Sequence, residues 1–200
     1  MNSKVIGITG FKYSGKSTVG SIFRRHYIPT IDLDEICYNV IKPGTAGFNS
    51  LLNYLGTEII DDNADIDMQK LTILSCKQSW IRELLDDILE SELDEFFGNL
   101  KESLPEYKVD IFCVECSAIL NTRLRKHVNK FVLIDSDEEI RRDRLKKYLG
   151  LPDIVLEKFI KSNSKFNTNE IDFTINNNSS IEDLEKKVKD LIPDIILKVC

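Results

Sequence analysis

The segment Gly10-Phe11-Lys12-Tyr13-Ser14-Gly15-Lys16-Ser17 decides the fold class of this chain. Residues 5–9 form an apolar run that predicts a buried strand before it, and residues 16–27 carry apolar side chains at the spacing of a helix. A GxxxxGKS turn between strand and helix is typical of a phosphate site, because its backbone N–H groups and the helix N-terminus attract anions. The alternative, a turn that only joins two elements, is disfavoured by this context.

The side chains of the loop suit the triphosphate of ATP. Gly15 lets the backbone approach closely, Lys16 is expected to span the β- and γ-phosphates, and the Ser17 hydroxyl is a candidate ligand of Mg²⁺. The other candidate ATP contacts are Gly10, Tyr13, Ser14 and Thr18. The loop therefore predicts ATP and Mg²⁺ as cofactors and phosphoryl transfer as the reaction.

Strands and helices alternate on both sides of the loop. Further strands are predicted at residues 27–31, 109–114, 131–134 and 173–175. Alternation of this kind predicts an α/β fold of three layers, with a mostly parallel five-stranded sheet covered on both faces by helices. Residues 48–104 are helical in pattern throughout and contain two apolar stripes.

The length of 200 residues predicts one domain. We expect a kinase core of residues 1–42 and 105–200, with a helical insertion of about 43–104 that binds the acceptor of the phosphoryl group. A short basic lid is expected at about 141–165, where eight basic and three acidic residues give a local charge of +5. The alternative for this segment is an ordinary solvated helix face.

A DxD pattern, Asp32 and Asp34, follows the second predicted strand. Ligands of open α/β sheets bind beyond the carboxyl ends of the strands, so these aspartates are expected beside the γ-phosphate and are candidate substrate contacts. Alternation along a strand directs both side chains the same way unless a helix begins at Asp34. One of them is expected to orient the attacking hydroxyl and accept its proton. The alternative is that one aspartate caps the next helix.

Glu115 and two cysteines mark the third predicted strand. Glu115 ends this strand and is a candidate Mg²⁺ carboxylate, with a solvent-exposed glutamate at the sheet edge as the alternative. Cys113 and Cys116 form a CxxC, but residues three apart on a strand point to opposite faces. We therefore interpret them as small core residues.

Two helix starts are predicted from capping patterns. Ser136 with Glu139 resembles a capping box that opens the basic helix, and Ser179 with Glu182 is expected to cap the C-terminal helix. In the basic helix we expect Arg144, with Lys146 or Lys147 beside it, to bind phosphate and act in catalysis.

Composition restricts the partners. The net charge of −6 argues against a general nucleic-acid binder, and no apolar stretch is long enough to predict a membrane span. Five cysteines without framework spacing indicate a reducing, cytoplasmic location. Small-molecule substrates are therefore the expected partners.

Several ordered blocks resemble the dephospho-CoA kinase family. They are the phosphate loop, the DxD segment, a P-G-x-x-G at residues 43–47, the lid residues Arg144-Leu145 and Gly150-Leu151, and an A-D-x-V-I-x-N-like block at 171–177. The resemblance implies transfer of the ATP γ-phosphoryl group to the ribose 3′-hydroxyl of dephospho-CoA. It also implies that Asp34 is the general base and that the segment starting at Pro43 and Gly44 binds the acceptor.

The chain departs from the family pattern at identifiable positions. Tyr38 replaces an arginine after the DxD segment, and Tyr148 replaces the second arginine of the lid pattern R-L-x-x-R-D. The block D-x-P-L-L-x-E begins here with Glu115-Cys116-Ser117. Two alternatives therefore stay open at this point, a nucleoside or deoxynucleoside monophosphate kinase of the same fold and an ATP-binding regulatory protein without turnover.

Overall fold

The sheet of the computed structural model has five strands, all parallel. They are β1 (Lys4–Thr9), β2 (Thr30–Asp32), β3 (Ile111–Glu115), β4 (Lys130–Asp135) and β5 (Phe173–Asn176), in the spatial order β2-β3-β1-β4-β5. The structure describes residues 3–104, 109–117, 123–149, 156–157, 160 and 168–199. The predicted α/β fold with a parallel five-stranded sheet is confirmed.

Seven α-helices lie within the described residues. They are α1 (Lys16–Arg25), α2 (Leu33–Val40), α3 (Ala46–Leu55), α4 (Met68–Lys77), α5 (Ser79–Ser103), α6 (Glu138–Leu149) and α7 (Ile181–Val199). The sequence predicts a helix that ends at Tyr27 and a strand that begins there, but neither observed element reaches this residue. Tyr27 is 96% exposed and has a left-handed φ of 62°, so the chain turns at this residue and β2 begins only at Thr30.

The apolar side chains of the sheet form two clusters, one on each face. Ile6, Ile8 and Cys113 pack against α1 and α7, whereas Val5, Phe112 and Val114 pack against the C-terminal half of α5. Strands buried on both faces are the reason why these segments read as continuous apolar runs. The three-layer arrangement is therefore a direct consequence of the sequence pattern.

The CxxC pair belongs to the two different clusters. Cys113 is buried in the cluster on the α1 side, and Cys116 is buried in the cluster on the α5 side. This confirms the interpretation that the two cysteines are small core residues on opposite faces of the sheet.

Helices α3 and α4, with the first half of α5, surround a third apolar cluster. It contains Phe48, Leu51, Ile59, Leu71 and Ile81. The second half of α5 then crosses to the sheet, where Leu93 and Phe97 pack. One continuous helix thus packs against both the third cluster and the sheet.

The Pro43-Gly44 segment forms the turn between α2 and α3. Gly44 has a φ of 92°, a left-handed conformation that favours glycine. Thr45 caps α3 by accepting a hydrogen bond from the Phe48 N–H at 3.1 Å. A Cβ on Gly47 would lie 2.6 Å from the Val40 carbonyl oxygen, so the second glycine of the motif permits close packing on α2.

Both predicted serine caps are wrong. Helix α6 begins at Glu138, and the buried Ser136 Oγ has no hydrogen-bond partner among the described residues. Helix α7 begins at Ile181, with Ser180 Oγ accepting from the Asp183 N–H at 3.3 Å, one position after the predicted Ser179. Local patterns locate a cap to within a residue or two, because neighbouring serines and aspartates compete for the same backbone N–H groups.

No helix of the described part of the chain combines the length and apolar character needed to cross a membrane.

Candidate active site

The loop of residues 10–17 lies between β1 and α1 and is shaped by two glycines. Gly10 has a φ of 150°, and a Cβ there would lie 2.3 Å from the Ile134 carbonyl oxygen. Gly15 has a φ of 103°, and a Cβ there would lie 2.1 Å from Asn177 Nδ2. Any side chain at either position would collide with a neighbouring strand end, so this loop geometry requires glycine.

Lys16 opens α1 and is nearly buried. Its Nζ donates to the Phe11 carbonyl oxygen at 3.3 Å, across the loop. Burial lowers the pKa of Lys16, and the carboxylate of Asp34 opposes this shift by favouring the ammonium form. Asp34 therefore lies close enough to Lys16 to influence the charge of its side chain.

Ser14, Ser17 and Thr18 surround Lys16 in the chain. Ser14 Oγ is buried without a hydrogen-bond partner among the described residues, and Ser17 and Thr18 occupy the first turn of α1. Tyr13, before Ser14, has a left-handed φ of 65°. The loop residues predicted to contact ATP therefore lie in one continuous segment at the N-terminus of α1.

The side chains of Arg144 and Asn177 donate hydrogen bonds to backbone carbonyls of the loop. Arg144 Nη1 donates to the carbonyl oxygens of Tyr13 at 3.1 Å and Ser14 at 3.2 Å, and its Nη2 donates to the Asn177 carbonyl at 3.3 Å. Asn177 Nδ2 donates to the same Ser14 carbonyl at 2.7 Å. These donors fix the orientation of two peptide groups of the loop, and the Ser14 N–H of the first group donates to the Phe11 carbonyl oxygen at 3.1 Å.

The sequence predicts that Arg144 binds phosphate, but its described hydrogen bonds are to the protein backbone. Its guanidinium binds backbone carbonyls of the phosphate loop, and burial lowers its pKa. Sequence reasoning placed Arg144 at the site but did not include Asn177, although the block at residues 171–177 contains it.

Asp32 and Asp34 have separate roles, because α2 begins between them. Asp32 caps α2, with Oδ1 accepting from the Glu35 N–H at 3.1 Å. Asp34 lies in the first turn, where its Oδ2 accepts from Ser117 Oγ at 2.9 Å. The common orientation was expected only if the strand continued, and α2 instead begins at Leu33, so the capping alternative holds for Asp32.

Glu115 is buried at the end of β3, opposite Asp32 in the parallel register. It is 2% exposed, which excludes the alternative of a glutamate in solvent. Neither carboxyl oxygen has a hydrogen-bond partner among the described residues, and a Cβ on Gly20 of α1 would lie 2.8 Å from Oε2. Burial, reinforced by the adjacent Asp32, raises the pKa of Glu115 to about 8.

Aromatic contacts connect the loop to α6. Tyr13 lies 5.6 Å from Tyr148, measured between ring centroids, and the guanidinium of Arg141 lies 4.1 Å from the centroid of Phe11. Burial raises the pKa of Tyr13 to about 12. The sequence analysis did not identify these aromatic contacts.

Only the first part of the predicted lid can be described. Residues 141–149 belong to α6, and Leu145 forms an apolar cluster with Leu156 and Ile160, against which Tyr13 and Ile73 pack. Residues 150–155, 158–159 and 161–165 of the predicted lid lie outside the described residues.

The predicted acceptor contacts at Pro43 and Gly44 are both exposed in the turn after α2. Tyr38, one turn earlier, donates from its hydroxyl to Asp65 Oδ2 at 3.2 Å, which links α2 to the loop before α4. Lys42 Nζ lies 5.1 Å from the centroid of the Tyr38 ring. A cation thus stands next to the position where the family pattern has arginine.

The class of this protein follows from three features of the site. They are a glycine-rich loop that opens α1, a buried lysine, and a carboxylate on the neighbouring strand end. The chain is a P-loop kinase.

Comparison with known proteins supports a narrower statement. The family model described as dephospho-CoA kinase matches residues 4–183. A dephospho-CoA kinase of Listeria monocytogenes is 28% identical over 189 residues, which cover 92% of this chain and 94% of that protein. The chain belongs to the dephospho-CoA kinase family.

Solved structures show the same fold. A crystal structure from Thermus thermophilus matches with a TM-score of 0.69 at 22% identity, covering 97% of this chain and 98% of the other. The dephospho-CoA kinase from Campylobacter jejuni matches with a TM-score of 0.63 at 17% identity, covering 96% of each chain.

Proposed function

We propose that this chain transfers the γ-phosphoryl group of ATP to the ribose 3′-hydroxyl of dephospho-CoA, which forms CoA and ADP. The observation that carries the proposal is the match of residues 4–183 to the dephospho-CoA kinase family, in a chain whose phosphate loop holds the buried Lys16 near Asp34. A charge for the phosphates and a proton acceptor for the hydroxyl are thus available at the same edge of the sheet.

The reaction needs one proton transfer and one displacement at phosphorus. Asp34 accepts the proton of the 3′-hydroxyl as its oxygen attacks the γ-phosphorus in line. The bond between the γ-phosphorus and the bridging oxygen breaks, and ADP leaves with that oxygen. Lys16 stabilises the negative charge on the β- and γ-phosphates throughout. Gly10, Tyr13, Ser14, Gly15, Ser17 and Thr18 hold the triphosphate.

The site fits Mg²⁺ bound together with ATP. Within the described residues no three His, Cys, Asp or Glu side chains form a ready metal centre. Mg²⁺ needs only one or two protein ligands when phosphates and water supply the rest. Ser17 and the buried, unpartnered carboxyl of Glu115 would hold it. When bound, Mg²⁺ neutralises charge on the β- and γ-phosphates.

The helical insertion is proposed to hold the acceptor, with Asp32, Pro43 and Gly44 on its side of the site. Residues 43–104 and the basic segment 141–165 are the two parts of the chain that we expect to close around the substrates. The net charge of −6 favours small-molecule substrates over nucleic acid, and five cysteines without framework spacing favour a cytoplasmic location.

A coupled ADP-release assay tests the acceptor. Purified enzyme with Mg²⁺-ATP is supplied in parallel with dephospho-CoA, dAMP, dGMP, dTMP, CMP and UMP. Turnover that is fastest with dephospho-CoA supports the proposal. Preference for a monophosphate would instead support the nucleoside monophosphate kinase alternative, which the loop pattern G-x-K-x-S-G-K of residues 10–16 also resembles.

A further inference from the structure

Ser117 contacts the carboxylate to which we assign the proton transfer. It is the second residue after β3, and its Oγ donates to Asp34 Oδ2 at 2.9 Å across a sequence separation of 83 residues. Ser117 is half-buried, whereas Asp34 is exposed on the first turn of α2. The bond therefore joins the end of one central strand to the helix that follows its neighbour.

Two other groups near Asp34 have recorded partners of their own. Asp32 uses its side chain to cap α2, and Lys16 donates to the Phe11 carbonyl oxygen. An exposed aspartate rotates about two side-chain bonds, and a productive base needs one orientation toward the attacking oxygen. With Oδ2 engaged by Ser117, we expect Oδ1 to be the oxygen that accepts the proton of the acceptor hydroxyl.

The contact is a property of this chain. Ser117 occupies the third position of the block that reads D-x-P-L-L-x-E in the family pattern, where proline carries no hydroxyl.

We propose that Ser117 is a positioning residue that acts through Asp34 and holds this carboxylate for proton transfer. The inference rests on the proposed function, since it needs Asp34 as the base. Because Ser117 acts through Asp34, we expect its removal to lower kcat and to leave the binding of ATP unchanged.

The test compares Ser117→Ala with Ser117→Thr and with Ser103→Ala as a control. Ser103 Oγ bonds only to the backbone of its own helix α5 among the contacts described. We expect Ser117→Ala to lower kcat about fivefold to tenfold, the scale of one hydrogen bond to a charged group, with KM for ATP within about twofold. Ser117→Thr keeps the hydroxyl and should restore most of kcat, and Ser103→Ala should behave as the parent.

A double-mutant cycle separates positioning from a general structural role. In an Asp34→Asn background, Ser117→Ala should change the residual kcat by less than about twofold, because its target is gone. A full additional loss in that background, failure of threonine to restore kcat, or unchanged kcat in Ser117→Ala would overturn the inference.

The rate of the parent enzyme with dephospho-CoA tests the proposed function by itself. If another nucleotide is the better acceptor, the cycle is repeated with that nucleotide and still decides the role of Ser117. If no acceptor is phosphorylated while ATP binds, both the proposed function and the positioning role are wrong.

Discussion

Lys16 is the side chain whose removal should affect the reaction most directly. It is nearly buried at the start of α1, so its charge acts on the phosphates with little screening by water. We expect Lys16→Ala to lower kcat/KM by about 100- to 1000-fold, the scale of a lost electrostatic contact in the transition state. Steady-state kinetics with ATP measures this, and activity within a few-fold of the parent would contradict the phosphate-loop assignment.

Asp34 and Asp32 provide a matched pair of variants. Asp34→Asn keeps the size of the side chain and removes the proton acceptor, so we expect kcat to fall by about 100-fold while ATP binding is retained. Asp32→Asn should be much milder, because asparagine also caps helices. ATP affinity by calorimetry and kcat by the coupled assay distinguish the two. A larger loss of kcat in Asp32→Asn than in Asp34→Asn would indicate that Asp32 is the general base.

The residue types of the site were predictable, but many of their contacts were not. The loop pattern indicated Lys16 and the DxD segment indicated Asp34 as candidate site residues, because both patterns are local signals in the sequence. The bonds from Asn177 to Ser14 and from Ser117 to Asp34 span 163 and 83 residues. Contacts at such separations depend on side-chain packing, which leaves no periodic signal in the chain.

At the level of elements, α6 is the helix that connects the phosphate loop to the lid. We expect Arg144→Ala to reduce kcat/KM by about 100-fold, because the carbonyls of Tyr13 and Ser14 lose their donor and the loop loses its fixed orientation. Lys146→Ala and Lys147→Ala remove neighbouring charges on the exposed side of the same helix and should be milder. Equal effects of all three changes, or normal kinetics of Arg144→Ala, would contradict this role.

The cap of α4 gives a prediction for pH. Asp67 Oδ1 accepts from the N–H groups of Gln69 and Lys70, each at 3.0 Å. The hydrogen bond from the Lys70 backbone, with smaller contributions from the Lys70 side chain and the Gln69 N–H, holds the pKa of Asp67 below its usual value. A lowered pKa in the folded state means that this stabilisation is present at neutral pH and is lost as the pH falls through the folded-state pKa.

Asp67→Ala should therefore reduce the free energy of unfolding by about 1 kcal/mol at pH 7, and the difference should shrink below about pH 4. Urea unfolding at both pH values measures it. Asp67→Asn is the control, since asparagine caps without a titrating group and should retain most of the stability. A difference between parent and Asp67→Ala that does not change with pH would contradict the contribution of charge.

The existence of the strands was easier to predict from the sequence than the residues at which strands and helices end. All five strands were predicted, and the three central strands, β1, β3 and β4, read as apolar runs because they are buried on both faces. The ends of the elements were less predictable. Tyr27 interrupts an apolar segment by adopting a left-handed turn, and Ser180 replaces the expected Ser179 as the cap of α7. The start of a helix depends on which of several adjacent polar side chains accepts hydrogen bonds from its first backbone N–H groups.

On the scale of the whole molecule, the strand order explains why distant motifs meet. With β1 central, the loop after β1 lies between the ends of β3 and β4, and β2 and β5 flank these. Four site residues follow four different strands. Arg144 and Asn177 donate to the phosphate loop, Asp34 lies near Lys16, and Ser117 donates to Asp34. Parallel strands share one carboxyl edge, so a parallel sheet of this order concentrates polar residues there.

The lid, the phosphate loop and the helical insertion also meet at one apolar cluster. Leu145, Leu156 and Ile160 are buried together, with Tyr13 of the loop and Ile73 of α4 packed against them. Ile73 therefore connects the proposed acceptor side to the proposed lid. Binding of either substrate should favour the closed arrangement for the other.

Limited trypsin digestion measures this coupling, since the segment 141–165 contains eight lysine and arginine residues. We expect ATP and dephospho-CoA together to slow cleavage there by more than the product of their separate effects. Ile73→Ala should abolish this excess and leave the protection by ATP alone within about twofold, because the change removes the connection and keeps the phosphate loop. Leu197→Ala, at a side chain of α7 that is mostly exposed, is the control and should keep the excess. Full excess protection in a folded Ile73→Ala protein would show that closure of the lid does not depend on the insertion through this contact.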